Sequence, residues 1–179
     1  KVARRAQYHL IPGVSRNFTK LSNVTIIPNI PSRDIFEKAK LLHDIRVSKQ
    51  GKLSSKLVVY ITGWITETRG LEQIQAALTS SSLEKNISFL IAGDVNDDTK
   101  LLFGNNVRYL GRISSEESLS YYFDSSIVIS LYDPRVEINQ NAEPNKWWDC
   151  VVTNTPFVTN YNINTASDFQ GLTDVSYID

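Results

Sequence analysis

The sequence is short of most of the residues that special chemistries need. A single cysteine, Cys150, excludes an internal disulfide framework, and without a second Cys there is no paired spacing for a structural zinc. Two histidines, His9 and His43, stand far apart with no spacing that suggests a metal or a base. Net charge is zero, with nineteen basic residues against nineteen acidic ones. That balance gives no general pull toward nucleic acid or an anionic membrane, so no nucleic-acid partner is expected and any anion site must be local. No apolar run approaches the roughly 18 residues that span a bilayer, and no secretory leader opens the chain. The expectation is a cytoplasmic, reducing setting. Methionine is absent and the chain starts at Lys1, which reads as a piece of a longer protein.

Several motifs are also missing. Neither GxGxxG nor GxxxxGK[ST] occurs, which weakens dinucleotide and P-loop readings, and no GxSxG elbow offers a serine nucleophile. Three N-x-[ST] triplets (Asn17-Phe18-Thr19, Asn23-Val24-Thr25, Asn86-Ile87-Ser88) are what an Asn- and Ser/Thr-rich chain yields by chance.

What is present is a globular composition, 41% apolar and 21% charged, over a length that suits one domain plus a connecting piece. Residues 1–33, punctuated by Pro12, Gly13, Pro28 and Pro31, read as an interdomain connection, and 34–179 as the domain proper, with a surface helix or loop around 34–47. From residue 56, β-branched runs alternate with polar loops and helical spacing. Strands are expected at 56–62, 87–93, 107–111, 127–132 and 157–159. Helices are expected from Leu71, near 99–103, from Ser114 (whose spacing to Glu117 suits a capping box) and around 144–150. Such alternation predicts an α/β, Rossmann-like parallel sheet with helices on both faces, whose ligands bind at the carboxyl ends of the strands.

Three strands end in glycine at that edge. Gly63 to Gly70 could hold a phosphate, with Arg69 as its cation, or could be a plain turn. Gly93-Asp94 and Gly111-Arg112 repeat the arrangement, as turns or as the walls of a groove. On the fourth crossover stands AEPNKWWDC, residues 142–150. Pro144 suits the first turn of a helix. Lys146 is a poor match for a positive helix terminus but a good phosphate ligand, and Asp149, three residues on, shares its face and could accept from a vicinal diol. A solvated Lys-Asp pair is the alternative. Trp147 and Trp148 cannot both face the same way, so at least one is expected to pack on the sheet; the alternative for the other is to line the groove or an interdomain surface, with the core as the expectation for either. Cys150 reads as a buried, inert thiol.

In this order the segments NVTIIPN, YITGWITETRGLEQIQAAL, ISFLIAGD, NNVRYLGRISSEESLSYYFDSSIVISLY and AEPNKWWDCVVTNTPFV resemble the C-terminal, donor-binding half of GT-B fold glycosyltransferases of the large retaining group called family four or "group 1". The resemblance implies transfer of a hexose, with retention, from a nucleotide diphosphate sugar to a saccharide or lipid-linked acceptor, as in polysaccharide biosynthesis. It implies no cofactor and no metal, and a partner N-terminal domain through which any peripheral membrane contact would run. Residue by residue, Asp149 stands where a signature glutamate binds the ribose. Pro144, Asn145 and Lys146 match the PNK beside the donor phosphates, and Arg69 takes the place of a loop lysine on the pyrophosphate; Gly63, Gly93, Gly111 and Arg112 complete the donor groove. The sequence departs from the pattern at Trp64, where an arginine is usual, and at Asn141, the catalytic position of the first signature glutamate; Glu137 and Glu143 lie near it but out of register. Asn154 replaces a glycine. The alternatives are a catalytically silent nucleotide-sugar-binding or scaffold domain of the same fold, or a GT-B epimerase.

Overall fold

A computed structural model describes residues 7–17, 20–51, 53–160 and 164–178. Phe18 and Thr19 of the first N-x-[ST] triplet lie outside them. The N-terminal segment is more ordered than a plain connection: β1 (His9–Ile11) and β2 (Val24–Ile26) pair in parallel as a small sheet of their own, joined through a 3-10 turn at Val14–Asn17. Gly13 is buried because it packs on Glu143, whose carboxylate a Cβ would strike. In and next to these two strands Tyr8, Leu10, Ile26 and Ile27 are exposed.

The expected surface helix is α1 (Arg33–Gln50), 18 residues long and capped by the Ser32 hydroxyl, which accepts from the Ile35 N–H. It is tied down rather than free. Ala39 is fully buried, and Arg46 reaches the body of the domain, donating to Asp124 Oδ2 at 2.5 Å, to Ser120 Oγ at 2.9 Å and to the Ser120 carbonyl at 2.8 Å.

The chain then runs β3 (Leu57–Trp64), α2 (Leu71–Leu78), α3 (Ser81–Glu84), β4 (Ile87–Asp94), α4 (Asp97–Lys100), β5 (Val107–Gly111), α5 (Ser115–Tyr122), β6 (Ile127–Ile129), α6 (Glu137–Gln140), α7 (Asn145–Thr153), β7 (Phe157–Asn160) and β8 (Val175–Ile178). The six strands β3 to β8 form one parallel sheet in the order β5-β4-β3-β6-β7-β8. The order reverses between β3 and β6, so a crevice opens at their carboxyl ends. Helices α1, α5 and α7 pack on one face through Tyr60, Leu119, Tyr122, Trp147 and Phe157; α2 and the turn after α4 cover the other through Ile61, Leu71, Ile74, Phe89 and Ile91.

Four details differ from the sequence reading. The helix near 99–103 is one turn earlier, at 97–100, because the Asn96 side chain caps it by accepting from the Thr99 N–H. The strand at 127–132 stops at Ile129; beyond it Tyr132 donates its N–H to the Asn160 side chain at 2.6 Å instead of continuing the ladder. Pro144 is not in the first turn of α7 but one step before it, at the N-cap, with ψ of 144°. An edge strand, β8, and the single turn α6 were not anticipated. The glycine-to-asparagine change at 154 has a plain reason: Asn154 ends α7 in the left-handed conformation (φ 53°), which asparagine tolerates best after glycine.

Candidate functional site

At the reversal of strand order, β3 and β4 keep pairing to their ends, Gly63 beside Gly93 and Trp64 beside Asp94. Both glycines have positive φ (98° and 113°), and a Cβ on Gly93 would run into the Gly63 carbonyl oxygen. This tight crossing is what the two glycines are for. Lys146 comes to the same strand end: its Nζ would be in ordinary contact, 3.7 Å, with a Cβ placed on Gly63, and it donates to the Thr62 carbonyl at 2.8 Å. The α7 lysine therefore reaches across to the end of β3.

A cavity of about 770 Å³ opens beside this point. It is lined by Thr62, Gly63, Ser118, Asn145 and Asp149, by Trp64, Gly93, Asp94 and Arg112 at the strand ends, and by residues 28–32 with Ile35 and Ile113. Of the residues singled out from sequence, Gly63, Trp64, Gly93, Arg112, Asn145 and Asp149 line it. Arg69, Gly111, Pro144, Lys146 and Asn141 do not. Arg69 and Lys146 instead converge on the Tyr132 ring, Arg69 with its guanidinium carbon 4.1 Å from the centroid and Lys146 with its Nζ 6.0 Å away. Asn141 ends α6, away from the cavity, where its side-chain oxygen accepts from Asn164 Nδ2 at 3.4 Å.

The electrostatics are uneven. Burial pushes the Asp149 carboxyl up to about 7; the nearby Tyr122 hydroxyl and the Lys146 charge pull the other way and only partly offset it. The Tyr122 hydroxyl is buried and finds no well-formed hydrogen-bond partner among the described residues; it faces Asp149, and burial followed by that carboxylate drives its own value well up. Tyr60, raised to about 12 by burial, shares a 2.9 Å hydrogen bond with Ser118 of the cavity lining. At the strand ends the charges are paired: Arg112 donates twice to Asp94, at 2.7 Å each, and holds that carboxyl below its usual range.

Several residues important to this arrangement were not singled out from sequence. Tyr132 engages the expected cations Arg69 and Lys146, Tyr122 faces Asp149, and Ser118 lines the cavity with it. In the sequence Asp94 and Glu143 stand out only as neighbours of Gly93 and Asn141; in the structure Asp94 pairs with Arg112 and Glu143 accepts from Trp148 Nε1 at 2.8 Å. Both tryptophans lie in the core, the placement expected for either. Trp147 is fully buried, stacked on Phe157 with centroids 5.1 Å apart, and Trp148 also joins the core, edge-on to Phe169 at 4.9 Å. Cys150 is fully buried and its thiol is pushed well up, as expected of an inert packing residue. Among the described residues no group of three or more His, Cys, Asp or Glu converges to hold a metal, and no helix is long and apolar enough to cross a membrane.

No protein-family model matches the sequence, and no curated protein matches it either. Solved structures do. WaaG, a glycosyltransferase involved in lipopolysaccharide biosynthesis, is 13% identical with a TM-score of 0.66, over 94% of this chain and 48% of that one. Sucrose-phosphate synthase from Thermosynechococcus elongatus is 14% identical with a TM-score of 0.64, over 99% and 47%. HepE from Anabaena, solved in complex with UDP-glucose, is 13% identical with a TM-score of 0.59, over 98% and 51%. The chain thus spans about half the length of these neighbours. Its fold is that of one Rossmann-like half of a GT-B glycosyltransferase, consistent with the C-terminal half that the sequence resembles.

Proposed function

We propose that this chain is the donor-binding half of a nucleotide-sugar-dependent glycosyltransferase. The observation that carries the reading is the convergence of Lys146 on Gly63 at the edge of a cavity that Asp149 also lines. A lysine, a glycine-closed strand end and the start of the nine-residue α7 suit a diphosphate, and a carboxylate a short way off suits the ribose diol. Arg69, across the Tyr132 ring from Lys146, supplies a second cation. Together these groups would stabilise a nucleoside diphosphate as it leaves the sugar, with no cofactor.

The finer reading follows the resemblance: a hexose passes with retention to a saccharide or lipid-linked acceptor in the cytoplasm, and the acceptor site belongs to a second α/β half. The exposed apolar residues in and next to β1 and β2, Tyr8, Leu10, Ile26 and Ile27, are where that half would pack. Calorimetric titration with UDP, GDP and their sugars tests the proposal. Binding that is weakened by Lys146→Ala and by Asp149→Ala is expected. Absence of binding at millimolar nucleotide would sink the reading, and binding indifferent to both substitutions would sink the site. A second reading, a silent nucleotide-sugar-binding domain, is favoured by Asn141, an amide lying outside the cavity. It expects donor binding with neither transfer nor hydrolysis when the chain is assayed together with its second half.

A further inference from the structure

Trp64 is 71% exposed, unlike Trp147 and Trp148, which belong to the core. An indole left in solvent forgoes the burial that usually fixes its place in a fold. This one is nevertheless positioned. It ends β3 in register with Asp94 of β4, its ring lies against the Asp94 carboxylate, and Asp94 is gripped by both arms of Arg112 from the end of β5. The side chains of three adjacent strand ends thus set the indole where it lines both the 770 Å³ cavity and a smaller one of about 310 Å³.

The larger cavity that Trp64 lines is also lined by aliphatic groups: Ile30, Pro31, Ile35 and Ile113. A cavity that offers an indole face and aliphatic groups suits a flat aromatic heterocycle. A pyranose, with hydroxyls around its whole edge, would leave them unpaired against those groups. The diol acceptor Asp149 lines the same cavity, whereas Arg69, held at the Tyr132 ring, does not. The ring attached to the ribose therefore belongs on this side of the diphosphate.

We infer that Trp64 is the stacking platform for the nucleobase of the bound nucleotide, with the Asp94–Arg112 pair as the device that sets its plane. This rests on the proposed donor-binding function and adds to it a specificity-determining residue. At Trp64 a side chain with no charge for the phosphates contributes instead through its ring face.

The test uses the 179-residue chain, titrated by calorimetry with UDP, GDP and ADP and separately with inorganic pyrophosphate. Trp64→Ala should weaken the preferred nucleoside diphosphate about 5- to 150-fold, the range for loss of one base-aromatic stack. Trp64→Phe, which keeps a ring face, should recover most of that loss. Pyrophosphate affinity should stay within about twofold in both variants, because it has no base to stack. Trp64 is exposed, so neither variant removes core packing, and unchanged thermal melting checks this. Equal nucleotide affinity in wild type and Trp64→Ala overturns the inference, as does an equal loss of pyrophosphate. If the wild-type chain binds no nucleotide at all, the donor-binding reading fails and takes the inference with it; nucleotide binding that ignores Trp64 sinks the inference alone.

Discussion

The Asp149→Asn substitution should make the protein more stable and a poorer nucleotide binder at the same time. Burial raises the Asp149 carboxyl from 3.8 to about 7, so between these values the folded protein keeps a proton that the unfolded chain has released. Stability therefore falls as pH rises through this window, and the whole penalty is present above about pH 7. At about 1.36 kcal/mol per pH unit the interval is worth on the order of 4 kcal/mol, or about 2 kcal/mol if cavity water solvates part of the ionised carboxyl. Asparagine has nearly the same shape and carries no charge, so it removes the penalty. For a chain of this size the gain corresponds to a rise in melting temperature of roughly 5 to 15 °C at pH 8, shrinking toward zero at pH 4. Thermal melts followed by circular dichroism from pH 4 to 8, on wild type and variant, give the difference curve; other titrating groups cancel in it. Calorimetry at pH 8 should show weaker nucleotide binding by the variant, since an amide is a poorer acceptor for a diol than a carboxylate. A difference curve that is flat with pH, or a variant less stable than wild type at pH 8, would refute the reasoning.

Removing the Lys146 charge with Lys146→Ala should weaken pyrophosphate and nucleotide alike by roughly 10- to 100-fold, as expected for a charged hydrogen-bond donor, measured by the same titration. Gly93→Ala places a Cβ against the Gly63 carbonyl at a φ of 113°; a cost of about 1–3 kcal/mol is expected in urea unfolding, with loss of nucleotide binding as the ends of β3 and β4 separate. Arg46→Ala leaves Asp124, whose side chain is 6% exposed, with His43 Nε2 at 3.4 Å from its other oxygen, and should cost about 3 kcal/mol in the same assay. Lysine at 46 should recover little of this, because a single ammonium cannot donate to Asp124, Ser120 Oγ and the Ser120 carbonyl in the geometry of the guanidinium fork.

The parts of the fold that were legible in the sequence are those whose signal is local. β3 and β4 read as strands because each is a run of apolar, largely β-branched residues closed by glycine, and α5 announced its start through Ser114, which does accept from the Glu117 N–H at 3.1 Å. What escaped was settled by partners far along the chain. β6 is cut short by the side chain of Asn160, 28 residues on. α1 looked like a surface element because its sequence is mixed and charged; Arg46 fixes it through Asp124, 78 positions away. β8 has only four residues and stands at the sheet edge, where the apolar pattern is weakest. The candidate site divides the same way. Lys146 and Asp149 could be placed on one helical face from their spacing, but nothing local reveals that Arg112 is taken up by Asp94, or that Tyr122 faces Asp149.

That division bears on Asn141. Of the groups suited to holding a nucleotide, Gly63, Asp149 and Trp64 line the cavity and Lys146 reaches its edge at the Thr62 carbonyl. Asn141 stands elsewhere, at the end of α6, in a segment held by the loop beyond β7, since Asn164 donates both its backbone N–H to the Gln140 carbonyl and its side-chain amide to Asn141. Nothing in the cavity leans on it. On the proposed donor-binding function, an amide at 141 would therefore bear on what happens to the sugar and leave in place the groups suited to holding its nucleotide. The uneven energetics point the same way: a carboxyl with too few partners, a tyrosine with none of good geometry and an exposed indole all cluster around the cavity, while Trp147, Phe157 and Phe169 pack the adjacent core completely. Misfits concentrated at one place in an otherwise well-satisfied fold are what a ligand site requires, because the ligand supplies the missing partners.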